Sequence, residues 1–234
     1  MARQSLVAMI SDELLTRIVS GEFAPGSTLP GEQDLVARHD VSRVTVREAV
    51  KTLEAMGVAR IERGRGTFVN PLSEWTSLEA VLRAASNGKN DATAAIQLIE
   101  LRRMLETGAA ELAATRITGE EIERLDRRLA TMIAAHHVND VAKFVEADLA
   151  FHDIILRASG NVFLAVLFEP LARVLAVRRT QTSRVPEIQA HAIAVHGLIV
   201  EALRSGDPER SRQAMDAHMA QTLRDLKTHV LHIA

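Results

Sequence analysis

The 234-residue chain contains no cysteine, which removes disulfides, thiolate metal ligands and cysteine nucleophiles together. Any metal would have to be held by nitrogen and oxygen, and a reducing compartment is compatible with the composition. Also lacking is an apolar run of the eighteen or more residues that can span a bilayer. The most apolar stretch, VFLAVLF at 162–168, is followed at once by Glu169 and Pro170. It is expected to be a buried helix or an oligomer contact, with no membrane partner. The opening segment, MARQSLVAMISDELL, carries Asp12 and Glu13 where a secretion signal needs an apolar core, so a cytoplasmic protein is expected. No internal repeat or low-complexity tract interrupts the chain. Excess charge is missing too: 28 Lys and Arg against 30 Asp and Glu leave a formal charge of −2. Contact with a polyanion would therefore need a local basic cluster rather than a basic surface.

What is present is a globular balance of 47 % hydrophobic and 25 % charged residues in a length suited to two domains. The densest signal lies at residues 42–69, SRVTVREAVKTLEAMGVARIERGRGTFV. Ser42 is an N-cap residue whose hydroxyl can accept from an orphan backbone N–H. Val46, Val50, Leu53 and Met56 recur at helical spacing and should form a buried face. The opposite surface puts Arg43, Thr45 and Arg47 in the first turn and a half, where a helix in the major groove meets base edges.

Gly57 should end this helix. VARIE and GTFV then alternate around Arg63, Gly64, Arg65 and Gly66, a hairpin signal with glycines where positive φ is needed. Upstream, Leu6–Ile18 is helical in period, GEFAPGSTLP is a turn-rich break, and GEQDLVARH makes a second short helix before the turn at Asp40 and Val41. Helix, helix, turn, recognition helix and wing is the order of a winged helix-turn-helix. Arg38, Arg43, Arg47, Lys51, Arg63 and Arg65 would supply the basic cluster.

The wing ends near Val69, and NPLSEWTS breaks the pattern. The expected domains are therefore 1–70 (winged helix-turn-helix), 71–77 (linker) and 78–234 (all-helical). Trp75 in this connector should pack against a neighbouring domain. Beyond Leu78 there is no strand alternation; helical patterns cover about 92–115, 118–137, 139–159, 161–182, 186–204 and 207–231. Thr118 with Glu121 makes a capping box, and Asn161 is a candidate cap. The fold class expected is mainly α: a winged N-terminal domain with a small β wing, and a C-terminal six- or seven-helix bundle.

In EADLAFHDIIL, Asp148 and His152 stand four residues apart, which places carboxylate and imidazole on one helix face about 5–6 Å apart at Cβ. Such a pair is compatible with a chelate, an ion pair or a capped core histidine. His196 and His218 lie on two consecutive helices joined by a tight turn, each within an apolar stripe, so antiparallel packing would point both inward. Three histidines and an aspartate suit Zn²⁺, Ni²⁺ or a similar divalent ion, with coordination positions left open for a ligand carboxylate. The histidines at 136, 137, 191, 229 and 232 carry no assigned role.

The segment from PGSTLP to GRGTFV resembles the N-terminal domain of GntR-family bacterial transcription regulators. The resemblance implies DNA contacts by Arg43, Thr45 and Arg47 from the recognition helix, by Arg38 on phosphate, and by Gly64 and Arg65 in the minor groove. One departure is Gln33, where many members have arginine beside the shared Glu32. The second half, in ELRRMLE, D-x-x-x-H, FHDIILRASGN and the last helices, resembles the FCD-type effector domain of the FadR subfamily. It implies a cation held by Asp148, His152, His196 and His218 at the floor of an effector cavity, with Arg102 facing that cavity to grip a carboxylate. Helix rotation leaves Arg103 as the alternative, since neighbouring residues point about 100° apart. The connector is similar to that of regulators of sugar-acid catabolism.

The function expected is a ligand-responsive regulator, a repressor binding palindromic operator DNA as a homodimer, with a metal-dependent small organic acid as effector. Two half-sites need two recognition helices, hence the dimer. The alternatives are a metal sensor, in which the cation itself is the signal, and a metal-dependent hydrolase. No separate general base is evident for the hydrolase, so the chain is not expected to be an enzyme.

Overall fold

The computed structural model describes residues 5–86 and 91–233, and the chain divides into two compact units, residues 1–91 and 92–234. In the first, Ser5 caps α1 (Leu6–Val19) by accepting from Ala8 N–H at 3.1 Å. Ile10, Leu14, Leu15 and Ile18 recur at helical spacing and bury one face. Next, α2 (Glu32–His39) buries Leu35 and ends at Asp40, whose left-handed φ of 50° turns the chain tightly toward Ser42. Ser42 Oγ accepts from Thr45 N–H at 3.1 Å to open α3 (Arg43–Ala55). Val46, Ala49, Val50 and Leu53 are buried, while Met56, at the C-cap, is only half-buried.

Gly57 is required on two grounds. Its φ is +71°, and a Cβ there would stand 2.6 Å from Glu74 O and 2.9 Å from Thr76 N. The chain then forms β1 (Ala59–Glu62) and β2 (Gly66–Val69), antiparallel, pairing Ala59 with Val69, Arg60 with Phe68, Ile61 with Thr67 and Glu62 with Gly66. The turn-rich break upstream contributes more than a turn. Thr28 bridges Phe68, Leu29 N–H donates to Thr67 O at 2.8 Å, and Val69 N–H donates to Ser27 O at 2.9 Å. The wing is thus held along its second strand as well as at the hairpin.

Trp75 packs on the core of its own winged unit, and its indole N–H donates to Asn70 O at 3.1 Å. The connector tryptophan thus packs against a neighbouring domain as expected, the winged one, and the carbonyl five residues back satisfies its indole N–H. The helix after it, α4 (Leu78–Ser86), also belongs to the first unit: Ala80 is in its core, and Arg83 pairs with Asp12 on α1.

The second unit comprises α5 (Asp91–Ala114), α6 (Gly119–His137), α7 (Val141–Ala158), α8 (Val162–Thr182), α9 (Pro186–Arg204) and α10 (Pro208–Asp225). The last helix widens into a π-turn at Leu226–Leu231. Thr118 and Glu121 form the full capping box of α6, and Asp140, Asn161 and Asp207 cap α7, α8 and α10. Prolines open α9 and α10, where a missing N–H costs nothing. Helix α6 packs along α7 and α9, α7 along α8, and α9 along α10. Leu125, Phe151, Ile155, Ile199, Leu203, Met215 and Met219 make the core between them.

The VFLAVLF stretch is not a buried helix. Val162, Phe163 and Val166 are 67, 74 and 63 % exposed, and Phe168 turns inward. Among the described residues no helix is long and apolar enough to cross a membrane.

Candidate functional site

Two groups of polar residues stand out, and their environments are opposite. On the winged unit, Arg43, Arg47, Arg63 and Arg65 are exposed. Arg43 and Arg63 make no ion pair among the described residues. Arg47 Nε is 3.8 Å from Glu32 Oε1 and Arg38 Nη2 is 3.3 Å from Glu13 Oε1, both pairs exposed enough to exchange for another anion. Thr45 Oγ1 is 2.9 Å from Ser42 Oγ, which fixes its rotamer at the helix start. Gly64, at φ +73°, forms the hairpin tip beside Arg65, which pairs with Glu62. Arg60 and Arg65 both stack over Phe68, with guanidinium carbons 5.2 and 5.4 Å from the ring centre. Sequence reasoning had not singled out Arg60 or Phe68.

In the helical unit a group of charged and polar side chains lies inside. His152 and His196 are fully buried and His218 is 4 % exposed. One nitrogen of each ring lies within 4.8 Å of the other two. The rings come from α7, α9 and α10, with centroids 5.2, 5.2 and 4.6 Å apart. His196 Nδ1–H donates to Ala192 O at 2.6 Å, which leaves its Nε2 lone pair aimed inward. His152 Nδ1 meets the Glu106 carboxylate, which likewise turns its Nε2 toward the centre. Neither nitrogen of His218, nor Nε2 of His152 or His196, has a hydrogen-bond partner.

Asp148 stands beside this group. Its Oδ1 is 3.1 Å from His196 Nε2 and 3.7 Å from His152 Nε2, and its Oδ2 meets Arg179. Buried imidazole nitrogens without partners are costly, about 1–3 kcal/mol each. Histidines held from behind by a carbonyl and a carboxylate are oriented as metal ligands are. The donor set of three imidazoles and a carboxylate thus fits a divalent cation such as Zn²⁺.

The electrostatics favour the neutral ring at His196 and at His218. Burial, then the charge of neighbouring His152, pushes His196 well below its ordinary pKa. Burial and then His196 and His152 do the same to His218. Burial alone would raise Glu106, but the charges of Arg102 and His152 outweigh it and hold the carboxyl well below the usual range. Burial, then the charge of Arg102, lowers Arg179.

Arg102, 2 % exposed, anchors Glu106 through Nε at 2.7 Å, while its Nη2 is buried without a partner. Arg103 is exposed and pairs with Asp216 at 2.5 and 2.7 Å. Of the two candidates, Arg102 is therefore the one that faces the interior. It lines a cavity of about 70 Å³ together with His218, Arg179, Gln221, Thr222 and Asp225. Apolar walls come from Ile99, Leu175 and Ile188, among others. A neighbouring cavity of about 50 Å³ shares Arg102, Arg179 and His218 and reaches Asp148.

Glu106 and Arg179 were missed in the sequence. A signal for Glu106 existed: with Ala95, Ile99 and Arg102 it continues the buried stripe of α5 at helical spacing. His191, left without a role, donates to Asp225 at 3.0 Å.

A winged helix-turn-helix with basic residues exposed on its recognition helix, joined to a helical unit with a histidine-lined cavity, defines a class of one-component regulators. The gntR-family model of bacterial regulatory proteins matches residues 6–69 and the FCD domain model matches residues 97–221, so the chain belongs to the GntR family of bacterial transcription regulators with an FCD domain. These are regulators, not enzymes. The HTH-type transcriptional repressor NanR of Cronobacter sakazakii is 29 % identical over 221 residues, covering 94 % of this chain and 84 % of that protein. A solved Streptococcus agalactiae GntR is 28 % identical, with a TM-score of 0.53 over 93 % of this chain and 99 % of that one. Lar of Listeria monocytogenes, described as controlling the expression of the agr system, is 20 % identical and shares the fold with a TM-score of 0.63 over 98 % of this chain and 100 % of Lar.

Proposed function

We propose that this protein is a cytoplasmic, dimeric transcription repressor that binds a palindromic operator and responds to a small organic acid held in the helical unit. The observation that carries the effector reading is the buried Arg102 Nη2, unpartnered at the wall of a cavity whose floor gathers His218, Arg179 and Asp148. Buried polar atoms without partners are uncommon and costly, so Arg102 Nη2 and the imidazole nitrogens suit a ligand that completes them.

Asp148, His152, His196 and His218 would hold a divalent cation, zinc by donor chemistry. When bound, it supplies an open electrophilic position for a carboxylate oxygen. Arg102 donates to the same carboxylate through its free amino group, while Glu106 fixes the guanidinium from behind. The apolar walls exclude water and strengthen these contacts.

On the winged unit, Arg43, Thr45 and Arg47 address base edges in the major groove, Arg38 a phosphate, and Gly64 with Arg65 the minor groove. Two recognition helices read two half-sites, which calls for a homodimer, and the exposed Val162, Phe163 and Val166 on α8 are a candidate contact. Relief of repression follows if acid binding favours a dimer whose recognition helices no longer match the half-site spacing. The repressor named NanR, similar over most of its length, supports the sign of regulation.

A second reading has its own support. The inward-facing imidazole nitrogens without partners call for a cation whether or not an acid is present, as in a metal sensor. Thermal-shift measurements on zinc-loaded and EDTA-treated protein, with and without small carboxylates, separate the two. Stabilisation by acids that needs zinc supports the effector reading. Stabilisation and altered DNA binding by zinc alone support the sensor. No response to either overturns both.

A further inference from the structure

The outer face of the wing gathers two arginines, a carboxylate and an aromatic ring. Ala59 and Val69 are buried, so the alternation of the hairpin turns Arg60 and its cross-strand partner Phe68 outward. Glu62, two residues along β1, falls on the same face. Arg65 reaches back from the tip, so that both guanidiniums lie over the one ring. Arg60 Nε donates to Glu62 Oε1 at 3.1 Å, and Arg65 Nη1 donates to Glu62 Oε2. One carboxylate thus receives two guanidiniums, one on each oxygen, and the same donors fit the oxygens of a phosphate. Two positive charges against one negative leave this face cationic, and Arg63, next in the chain, is also exposed.

Arg60 stands on a rigid base. Its Nη1 donates to Asn70 Oδ1 at 3.0 Å. Asn70, 7 % exposed, is fixed in turn: its Nδ2 donates to Gly57 O at 2.9 Å and its own carbonyl accepts the Trp75 indole N–H at 3.1 Å. Phe68 holds the guanidinium by its face, which keeps the N–H edge available. The bonds to Glu62 and Asn70 use Nε and Nη1 and leave Nη2 for a further acceptor. The Arg60 side chain is 44 % exposed and that of Glu62 26 %. A pair this open to water contributes about 0–1 kcal/mol, so another anion can take the place of the carboxylate.

We propose that Arg60 is a further DNA contact, binding a backbone phosphate at the rim of the groove that the wing tip enters, and that Glu62 is the resident anion which Arg60 and Arg65 leave to meet DNA. This rests on the reading of the winged unit above, with Gly64 and Arg65 in the minor groove. Two steps of strand put Arg60 about 7 Å behind Glu62, at the end of β1. The minor groove is about 7.5 Å deep, so a tip inside it sets Arg60 level with the phosphates rather than the base edges. Phe68 and Asn70 already hold the side chain in place, which lowers the ordering cost of binding.

The test measures fluorescence anisotropy of the full-length protein, across salt concentrations, on a duplex that it selects from random DNA and on an unrelated duplex of equal length. Arg60→Gln removes the charge and keeps a donor for Asn70. It should weaken both duplexes about three- to tenfold and reduce the salt slope by about one, as loss of one phosphate contact does. Arg60→Lys should restore the slope, because it restores the charge, and decides the matter if Arg60→Gln shifts the emission of Trp75, the only tryptophan. Glu62→Gln should tighten binding to both duplexes about three- to fivefold, the worth of an exposed ion pair released. That gain should be smaller when Arg60→Gln is also present, since one of the two pairs is then already absent.

Arg60→Gln binding like wild type while Arg43→Ala is weakened overturns the inference and leaves the DNA reading intact. A loss confined to the selected duplex overturns it in favour of a base contact. Weaker binding by Glu62→Gln, or the same gain with and without Arg60, overturns the role of Glu62 as a displaced anion. Failure of the wild type to bind any duplex removes the DNA reading and this inference with it.

Discussion

The two units handle charge in opposite ways. In the winged unit the core is apolar apart from Ser11 and Asn70, and its arginines lie at the surface in loose pairs such as Arg47 with Glu32. In the helical unit Arg102, Glu106, Asp148, Arg179 and three histidines are themselves buried. The first arrangement suits a long polyanion met at the surface, where counterion release and base contacts are available without desolvating the protein's interior. The second suits a small anion that must be enclosed, because buried charges gain selectivity only when their partners complete them.

The sharpest way to break the comparison is to remove one buried carboxylate. Glu106→Ala leaves Arg102 without its ion pair and His152 without its anchor, and should cost about 3–5 kcal/mol, read by thermal denaturation of the metal-free protein. The matching change on the winged unit, Glu48→Ala, removes the exposed partner of Lys51 and should leave stability nearly unchanged. Next in size, Arg43→Ala and Arg47→Ala should each lower operator affinity by about ten- to a hundredfold with no loss of fold, read by mobility shift with circular dichroism as control. Gly57→Ala forces a side chain into a left-handed conformation against Glu74 O, and should destabilise the winged unit by about 1–3 kcal/mol, read by denaturant unfolding.

The pH dependence sharpens the same contrast. His196 and His218 have folded pKa values depressed by burial below the ordinary 6.5. In the unfolded chain they take up protons at about 6.5, whereas in the folded protein they resist. Their contribution to stability is therefore complete above about 6.5 and is lost as pH falls below it. Melting temperatures of metal-free protein across that window should fall toward acid. A double His196→Gln, His218→Gln variant should show a flatter profile. The smallest effect belongs to Arg38→Ala, the expected phosphate contact, which should reduce the salt slope of DNA binding by about one and leave sequence preference unaltered.

Much of the fold could be read from sequence because its signals are local. The buried stripe of α3, the cap at Ser42, the capping box at Thr118 and the glycines of the hairpin each act within a few residues. The pairing of Thr28 with Phe68 joins segments forty residues apart with no local pattern to announce it. The packing of α4 on the winged unit likewise depends on where Ala80 and Arg83 find partners on another helix. In the helical unit, the convergence of His152, His196 and His218 was foreshadowed by their apolar stripes. Glu106, Arg179 and Asp225 read in isolation like ordinary solvated helix charges. Only the packing of α5, α8 and α10 around one cavity shows that they face inward.

The proposed function requires the helical unit to couple an enclosed acid to DNA binding. Its most direct test is fluorescence anisotropy with an operator selected from random DNA, using zinc-loaded wild type and His196→Ala, each with and without the acid that stabilises the protein most. The acid should weaken wild-type DNA binding by at least about fivefold, a typical allosteric coupling. His196→Ala should bind DNA as tightly as wild type without acid and ignore the acid. An equal response in both proteins, or none in wild type, would contradict it.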